Sequence, residues 1–567
     1  MHALSIQKML TTLEWGFKIP SFVAGMFFLV FSLPTAMADE PLTAKELYTK
    51  MSLEQRVGQV FIWTYPGQSL TAPGATWLEK YQPGALIVFG RNIKSAEQIA
   101  KFNFDLQKFA AKKMRAPFFL MIDQEGGTVT RLKTQVPLPS ALALGKMNDT
   151  KFMQKFGNAV AVVLKGLGFN VNLAPVLDIS APTKDSFIGS RTFGNDPVLV
   201  SERAGAYAEG LNEGGIMPTA KHFPGHGGVS QDSHHTTPKK LATYEELADR
   251  DLVPFEDFAQ AEFPRAVMMA HIALPNVDPS GVPSTYSKIL IQDYLREKLG
   301  FDGLVITDDL EMAGATPGDD IGEHAVQAFL AGNDMLLLAG VGARQKQAFN
   351  KVLEAVRSGR VSEARLRESV ERILAYKLML ALAPRPFNKK LSKDSVATLE
   401  SLSKQVQQKN FHLALESKSA SWPQIKPETH TLVLGSEHRF FNSFQKSFLG
   451  KATFFHLTPQ SLGSVEHELE KVPYDLIIYY ASGVQTARWL VRLTPAQRAK
   501  TVVINSNHDA EVESQGAFLS VLNVGTHCPE CGTALGSWIN TPEIRAPAQE
   551  PEPVLAPPIT NINAPEN

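Results

Sequence analysis

Eight short apolar runs alternate with longer amphipathic stretches between residues 39 and 383, and this alternation narrows the choice of folds more than any other feature of the sequence. Strands that alternate with helices of about 10–15 residues are typical of βαβ units, whose strands lie parallel in one sheet. The runs are residues 60–64, 84–89, 118–122, 170–175, 217–222, 266–272, 304–307 and 335–338. Eight units in roughly 340 residues predict a (β/α)8 TIM barrel with insertions, and an open doubly wound sheet is the alternative.

Polar residues end or follow several of the predicted strands. They are Asp123, Lys221, His222, His271, Asp308 and Asp309. Barrel enzymes build their active sites at the C-terminal ends of several strands. The pattern therefore favours the closed barrel and predicts a functional site at that face.

A second, smaller α/β pattern follows a proline-rich break at residues 383–386. Its apolar runs are residues 431–434, 452–455, 476–480, 501–505 and 520–524. Neither a Gly-x-Gly-x-x-Gly sequence nor a P-loop marks this part as nucleotide-binding. We predict a catalytic barrel at 39–383, a linker with a helix at 384–430, and a parallel-sheet domain at 431–544.

The two ends of the chain have compositions unlike the rest. A basic residue, Lys18, precedes an apolar run at 22–33, and an Ala-x-Ala sequence ends at Ala38. This order predicts a signal peptide at 1–38 and export to the periplasm or the extracellular space, with an uncleaved anchor or a later start codon as alternatives. Residues 545–567 are rich in proline and glutamate and are predicted to form a disordered tail.

Charge and cysteine content exclude several classes of protein. Lys+Arg number 56 and Asp+Glu 57, so net charge gives no reason to expect a nucleic-acid partner. The chain has two cysteines, too few for a disulfide-built scaffold or a multi-cysteine metal cluster. Cys528 and Cys531 form a C-x-x-C sequence, for which we predict a local disulfide in an exported protein, with a redox motif as the alternative.

The segment at 221–238, KHFPGHGGVSQDSHHTTP, is the densest in functional groups. His222 and His226 have the spacing of a zinc-protease helix, but a Pro-Gly pair lies between them and no Glu follows His222. A metal site built from the loop and a solvated histidine-rich turn remain alternatives. In the third interpretation, Asp232 orients His234 for general acid–base catalysis near neutral pH.

Asp308 and Asp309 follow a predicted barrel strand. We predict that Asp309 caps a helix that begins at Leu310, which leaves Asp308 at the mouth of the barrel. A calcium or magnesium site is the alternative, although the dense oxygen-ligand spacing of a calcium loop is absent.

Several motifs, in order, resemble those of glycoside hydrolase family 3, specifically its bacterial β-N-acetylglucosaminidase branch. They are MIDQEGGTVTRL, SRTFGNDP, KHFPGHG followed by DSH, AHIALPNVDPSGVPSTYS and VITDDLEM, and they fall within residues 45–380. The resemblance implies that Asp308 is the nucleophile, that His234 is the acid/base and that Asp232 orients it. It also implies a set of residues that hold the sugar in the −1 subsite: Asp123, Arg131, Arg191, Lys221 and His222.

Two positions depart from the family pattern. Thr128 stands where relatives often carry a basic residue, and a second histidine, His235, follows the proposed acid/base. Neither departure removes a proposed catalytic group, but both bear on the leaving-group side.

The expected function is therefore that of an exported, retaining exo-β-N-acetylglucosaminidase (β-hexosaminidase) that needs neither a metal nor an organic cofactor. Its substrates would be GlcNAc-containing oligosaccharides, either muropeptides and other peptidoglycan fragments or chitooligosaccharides, and no stable membrane insertion is expected after signal cleavage. The alternatives are a family-3 glycosidase of other sugar preference, a GlcNAc phosphorylase or transglycosylase, and an inactive carbohydrate-binding relative. The second domain is expected to have a structural or substrate-positioning role.

Overall fold

A computed structural model describes the two folded parts of the chain. The described residues are 42–132, 138–180, 188–229, 236–315, 320–416, 426–435, 438–457, 462–481, 493–505 and 520–523, together with Cys531 and Leu535. The predicted signal peptide, the predicted tail, Asp232, His234, His235 and Cys528 lie outside them.

Eight parallel strands form the first sheet, in the spatial order β10-β1-β2-β3-β6-β7-β8-β9. A parallel bridge between Ile306 of β9 and Met335, directly before β10, joins the two ends of this order. The predicted TIM barrel is therefore confirmed and the open sheet is excluded. The strands are β1 Phe61–Thr64, β2 Ala85–Val88, β3 Phe119–Ile122, β6 Val171–Asn172, β7 Met217–Phe223, β8 Ala266–Met269, β9 Leu304–Thr307 and β10 Leu336–Leu338.

Burial on both faces explains why these strands could be predicted from apolar runs in the sequence. Every residue of the eight strands is buried, because one face fills the barrel and the other packs against the surrounding helices. Such strands consist of continuous apolar runs rather than alternating ones. A two-stranded antiparallel hairpin, β4 Gln124–Gly126 and β5 Val129–Thr130, follows β3 at the C-terminal face.

Helices surround the barrel, and most begin at a polar capping residue. Ser95, Asp149 and Asp196, for example, each accept a backbone N–H of the first helical turn. Two stretches, Leu247–Asp251 and Ile289–Lys298, are π-helical. The α-helices of this region are α1 Ala44–Thr49, α2 Leu53–Gln59, α3 Ala72–Tyr81, α4 Ala96–Lys113, α5 Ala141–Gly145, α6 Thr150–Gly166, α7 Pro197–Glu213, α8 Tyr244–Glu246, α9 Val253–Ala259, α10 Ile321–Ala331, α11 Ala343–Arg357 and α12 Glu363–Met379.

A long helix, α13 (Lys389–Glu416), occupies most of the predicted linker and packs against α5 and α6. Its Leu402 and Val406 belong to the hydrophobic core of the barrel. The side-chain amide of Asn410 donates to the carbonyl of Ala143 in α5, 2.8 Å away. The helix is thus part of the packed structure rather than a free tether.

The second domain contains a five-stranded parallel sheet with the order β12-β11-β13-β14-β15. The predicted smaller α/β domain is therefore confirmed. Its strands are β11 His430–Gly435, β12 Lys451–His456, β13 Leu476–Ala481, β14 Thr501–Asn505 and β15 Ser520–Asn523, and its helices are α14 His438–Gln445, α15 Leu462–Lys471 and α16 Pro495–Arg498. Cys531 is disulfide-bonded. None of the helices that the structure describes is long and apolar enough to span a membrane.

Candidate active site

A cavity of about 320 Å³ opens at the C-terminal ends of the barrel strands. This volume lies near the lower end of the range of roughly 300–1,000 Å³ that is usual for small-ligand pockets. One part of its lining is apolar and includes Ile87, Phe89 and Leu337. The polar part of the lining consists of Asp123, Glu125, Arg131, Arg191, Lys221, His222, His226, Asp308 and Asp309.

The hairpin after β3 brings Arg131 back to Asp123. Its turn contains Gly126 and Gly127 at φ 104° and 56°, backbone conformations that favour glycine. The side-chain oxygen of Gln124 accepts the backbone N–H of Arg131, at 3.0 Å, and so fixes the second strand. As a result, Arg131 Nη2 lies 3.2 Å from Asp123 Oδ2.

Glu125 lies at the centre of a buried ion cluster. Its carboxylate accepts from Arg191 Nε and Nη2 at 2.8 and 2.9 Å, and its Oε1 lies 2.6 Å from Lys221 Nζ. Burial alone would raise the pKa of Glu125, but Arg191 and Lys221 outweigh burial and hold this pKa well below its usual range. The carboxylate is therefore ionised over the physiological pH range.

Lys221 joins the two carboxylates that follow β3. Its Nζ is 2.9 Å from Asp123 Oδ1 as well as 2.6 Å from Glu125. Burial lowers the pKa of Lys221, but the two carboxylates more than offset it and the net pKa is raised. The ammonium group therefore stays charged within the barrel mouth. The peptide bond between Lys221 and His222 is cis.

His222 is held from two sides. Its Nδ1 lies 2.6 Å from Oδ2 of the buried Asp178, and its Nε2 lies 3.3 Å from Arg191 Nη2. Asp178 follows β6, and burial raises its pKa less than the neighbouring imidazoles and N–H groups lower it. The imidazole ring is consequently fixed at the wall of the cavity.

Asp308 follows β9 directly and is partly buried at the cavity. Its Oδ1 accepts the backbone N–H of Asp309 at 2.7 Å. Burial raises the pKa of Asp308, but His271, His222, this N–H group and Lys221 together bring the net pKa below the usual value. Asp308 is therefore an ionised carboxylate at neutral pH, as a nucleophile requires.

The helix predicted to begin at Leu310 does not form, so the capping role predicted for Asp309 was wrong. Residues 309–315 instead form turns, and the next helix, α10, is capped by Asp320. Asp309 Oδ1 accepts the backbone N–H groups of Glu311 and Ala339, at 3.1 and 3.0 Å. Burial, which exceeds the effect of these hydrogen bonds, raises the pKa of Asp309 to about 6.

Residues 52–376 match the model of the glycosyl hydrolase family 3 N-terminal domain, and this range includes the whole barrel sheet and cavity. The chain belongs to glycosyl hydrolase family 3. A β-hexosaminidase of Idiomarina loihiensis is 34% identical over 294 residues, which are 51% of this chain and 86% of the relative. One of Pseudomonas aeruginosa is 36% identical over 275 residues, 48% of this chain and 80% of the relative.

Both domains have a counterpart among solved structures. A family-3 β-N-acetylglucosaminidase from Paenibacillus sp. str. FPU-7 matches with a TM-score of 0.74 and 27% identity. The match covers 86% of this chain and 97% of that one. The curated relatives match about half of this chain, whereas the structural match extends well beyond the barrel.

The family-3 fold brings together six of the eight residues predicted for the site. Asp123, Arg131, Arg191, Lys221, His222 and Asp308 line one cavity. Asp232 and His234, predicted as the acid/base pair, lie outside the described residues. Within the described residues, no group of three His, Cys, Asp or Glu side chains is arranged to hold a metal ion.

Sequence reasoning did not select Glu125 or Asp178. Glu125 stands in the IDQEGG motif two residues after Asp123, and Asp178 ends the APVLD sequence after the run at 170–175. Asp178 comes three residues after the end of the run at 170–175, whereas Glu125 is separated from its run by Asp123 and Gln124. The strand-end pattern that singled out Asp123 and Asp308 could therefore nominate Asp178, but it carries no information on the partners of either residue.

Proposed function

We propose that this family-3 glycoside hydrolase is a retaining exo-β-N-acetylglucosaminidase. The observation that carries the proposal is that Asp308 lines the same cavity as five residues that can hold a sugar. The names of the relatives from Idiomarina loihiensis and Paenibacillus support the preference for an N-acetylhexosamine.

In the first step, a carboxylate oxygen of Asp308 attacks the anomeric carbon as the glycosidic C–O bond breaks. His234 donates a proton to the departing oxygen, and Asp232 stabilises the protonated ring before the transfer. The product of this step is a glycosyl-enzyme ester on Asp308.

In the second step, the now neutral His234 accepts a proton from water, whose oxygen attacks the anomeric carbon. The ester bond to Asp308 breaks, and the free sugar leaves with the configuration that it had in the substrate. An Asp–His pair in place of the usual carboxylic acid is the departure from the general two-carboxylate scheme.

Four of the polar residues that line the cavity supply the hydrogen bonds that position the sugar. Asp123, Arg131, Lys221 and His222 offer both donors and acceptors to ring hydroxyls, and only contacts that strengthen in the transition state accelerate the reaction. Asp123 pairs with Arg131 and Lys221, and His222 is hydrogen-bonded to Asp178, so these groups are held in place before substrate arrives. The cavity is small, about 320 Å³, which fits the proposed release of one terminal sugar unit at a time.

The proposed natural substrates are GlcNAc-β-1,4 linkages in peptidoglycan fragments or chitooligosaccharides. The proposed location, periplasmic or extracellular, rests on the apolar run at 22–33 and on the Ala-x-Ala sequence that follows it. Muropeptides and chitooligosaccharides supplied to the purified protein distinguish the two substrate classes by the rate at which GlcNAc is released.

The test is hydrolysis of 4-nitrophenyl N-acetyl-β-D-glucosaminide by the wild-type protein and by Asp308→Asn. We expect GlcNAc-selective release, compared with the 4-nitrophenyl β-glucoside, and a loss of kcat/KM of about a thousandfold or more in the variant. Azide added to Asp308→Ala should restore turnover and give the α-glycosyl azide, since azide then replaces the missing nucleophile.

Asp302→Asn is the matched control. Asp302 lies before β9, at the opposite end of the strand from Asp308, and its exposed side chain pairs with Arg265 at 3.0 Å. We expect this variant to keep wild-type kcat/KM. Full activity in Asp308→Asn, or release that requires phosphate and yields the sugar 1-phosphate, would contradict the proposed hydrolysis.

A further inference from the structure

Asp178 is a fully buried carboxylate that the two catalytic steps do not use. Its side chain is 0% exposed. Oδ1 accepts two backbone N–H groups, those of His222 and His226, at 3.2 and 2.6 Å, and Oδ2 lies 2.6 Å from Nδ1 of His222. Among the described residues, the hydrogen bonds of its side chain are therefore all directed at the segment that follows Lys221.

The partners of His222 determine which ring nitrogen carries the proton. A guanidinium group has no acceptor, so Arg191 Nη2 can only donate to Nε2 across their 3.3 Å separation. Nε2 must then be the unprotonated nitrogen, and Nδ1 must carry the proton that it donates to Asp178. A doubly protonated ring would place an N–H group opposite the arginine donor.

We infer that Asp178 is a positioning residue that fixes His222, near pH 7, as the neutral tautomer protonated at Nδ1, so that Nε2 accepts from Arg191 at the wall of the sugar cavity. Asp178 therefore acts on the substrate through His222, which lines the cavity. The consequence for catalysis rests on the proposed function, whereas the tautomer itself does not. The other charged or titratable groups around Asp178 are His226, Arg191 and Asp251.

Asparagine at this position would reverse the arrangement. Oδ1 must remain an oxygen, because it accepts two backbone N–H groups. The new amide would then occupy the place of Oδ2 and donate to Nδ1 of His222. That forces the proton onto Nε2, where it meets the arginine donor and breaks the contact that holds His222 against Arg191 at the cavity wall.

The first measurement is nitrogen-15 NMR of histidine-labelled full-length protein near pH 7. The His222→Gln variant identifies the signals of His222 by their loss. In wild-type protein we expect Nδ1 protonated and Nε2 unprotonated. The reverse tautomer or a doubly protonated ring in wild-type protein would overturn the inference, whether or not any substitution at Asp178 folds.

The second measurement is a double-mutant cycle on kcat/KM with the 4-nitrophenyl substrate. Asp178→Asn should convert the His222 signals to the opposite tautomer and lower kcat/KM by about tenfold or more. On the His222→Gln background the same substitution should have little further effect, since residues that act through one another are not additive. Equal losses on both backgrounds, or an unchanged tautomer in Asp178→Asn, would refute the positioning role.

Asp334→Asn is the control for loss of stability alone. Asp334 is also a fully buried carboxylate, but it precedes β10 and binds Arg296 and Arg372 at the N-terminal side of the barrel. The Asp334→Asn variant should have a lower unfolding temperature than wild-type protein, with kcat/KM and the His222 signals unchanged. A loss of kcat/KM comparable to that of Asp178→Asn would contradict the positioning role of Asp178. If wild-type protein released no GlcNAc, the proposed function would fail while the NMR result would still decide the tautomer.

Discussion

Replacing Glu125 by glutamine should lower the free energy of unfolding of the barrel by about 3–5 kcal/mol, the usual cost of removing one partner from a buried ion pair. Glu125 is 7% exposed and accepts three hydrogen bonds or ion contacts from Arg191 and Lys221, all at 2.9 Å or less. Glutamine keeps the shape but removes the charge. Arg191 would then lose its carboxylate partner, and Lys221 would keep only Asp123.

Urea unfolding followed by intrinsic fluorescence, to which Trp63 and Trp77 of the barrel contribute, measures this difference. Glu363→Gln is the matched control, since Glu363 also pairs with an arginine, Arg56, at 2.9 Å, but its side chain is 48% exposed. An exposed ion pair contributes about 0–1 kcal/mol, so the control should unfold almost like wild-type protein.

The difference in free energy of unfolding between wild-type protein and Glu125→Gln should depend on pH in a defined direction. Because the pKa of Glu125 is lowered in the folded state, its contribution is complete above the unfolded pKa of about 4.3 and is lost as the pH falls toward the folded pKa. The gap between wild-type protein and Glu125→Gln should therefore be constant from pH 7 to 5 and narrow below about pH 4. A Glu125→Gln effect no larger than that of Glu363→Gln would refute the buried-cluster argument.

Three further predictions concern stability. Leu402→Ala on α13 should lower the free energy of unfolding in urea by about 2–5 kcal/mol, because this side chain belongs to the barrel core. Leu241 is 69% exposed, so Leu241→Ala should lower it by less than about 0.5 kcal/mol. Equal effects would show that α13 is not part of the core. Burial raises the pKa of Asp309 to about 6, so the free energy of unfolding of wild-type protein relative to Asp309→Asn should decrease as the pH rises from about 4 to 6. A difference that does not change with pH would contradict this. Burial lowers the pKa of His226 to about 4, so stability relative to His226→Gln should decrease as the pH falls from about 6.5 to 4, and an increase would contradict it.

The barrel strands were predictable because their burial leaves a direct record in the sequence. A parallel strand that is covered on both faces must be apolar along its whole length, and each such run ends where polar residues enter the cavity. This is why the sequence alone predicts that Asp123, Lys221 and Asp308 lie at one face of the barrel. The same reasoning predicted the second sheet.

The errors and omissions have a physical cause as well. Leu310 begins a sequence that is compatible with a helix, but the carboxylate of Asp309 binds the backbone of Ala339 on the neighbouring strand end, and this long-range contact favours turns. Glu125 and Asp178 act through partners that are distant along the chain, 66 and 44 residues away. Local patterns carry no information on such pairings.

The most direct test of the proposed mechanism is peptide mapping by mass spectrometry after brief reaction with a 5-fluoro β-GlcNAc donor, which slows both steps and allows the ester to accumulate. We expect one added fluoro-GlcNAc on the peptide that contains Asp308, and no adduct on that peptide in Asp308→Asn. Turnover with no covalent adduct, or an adduct on another carboxylate such as Asp123, would contradict the assignment of Asp308 as the nucleophile.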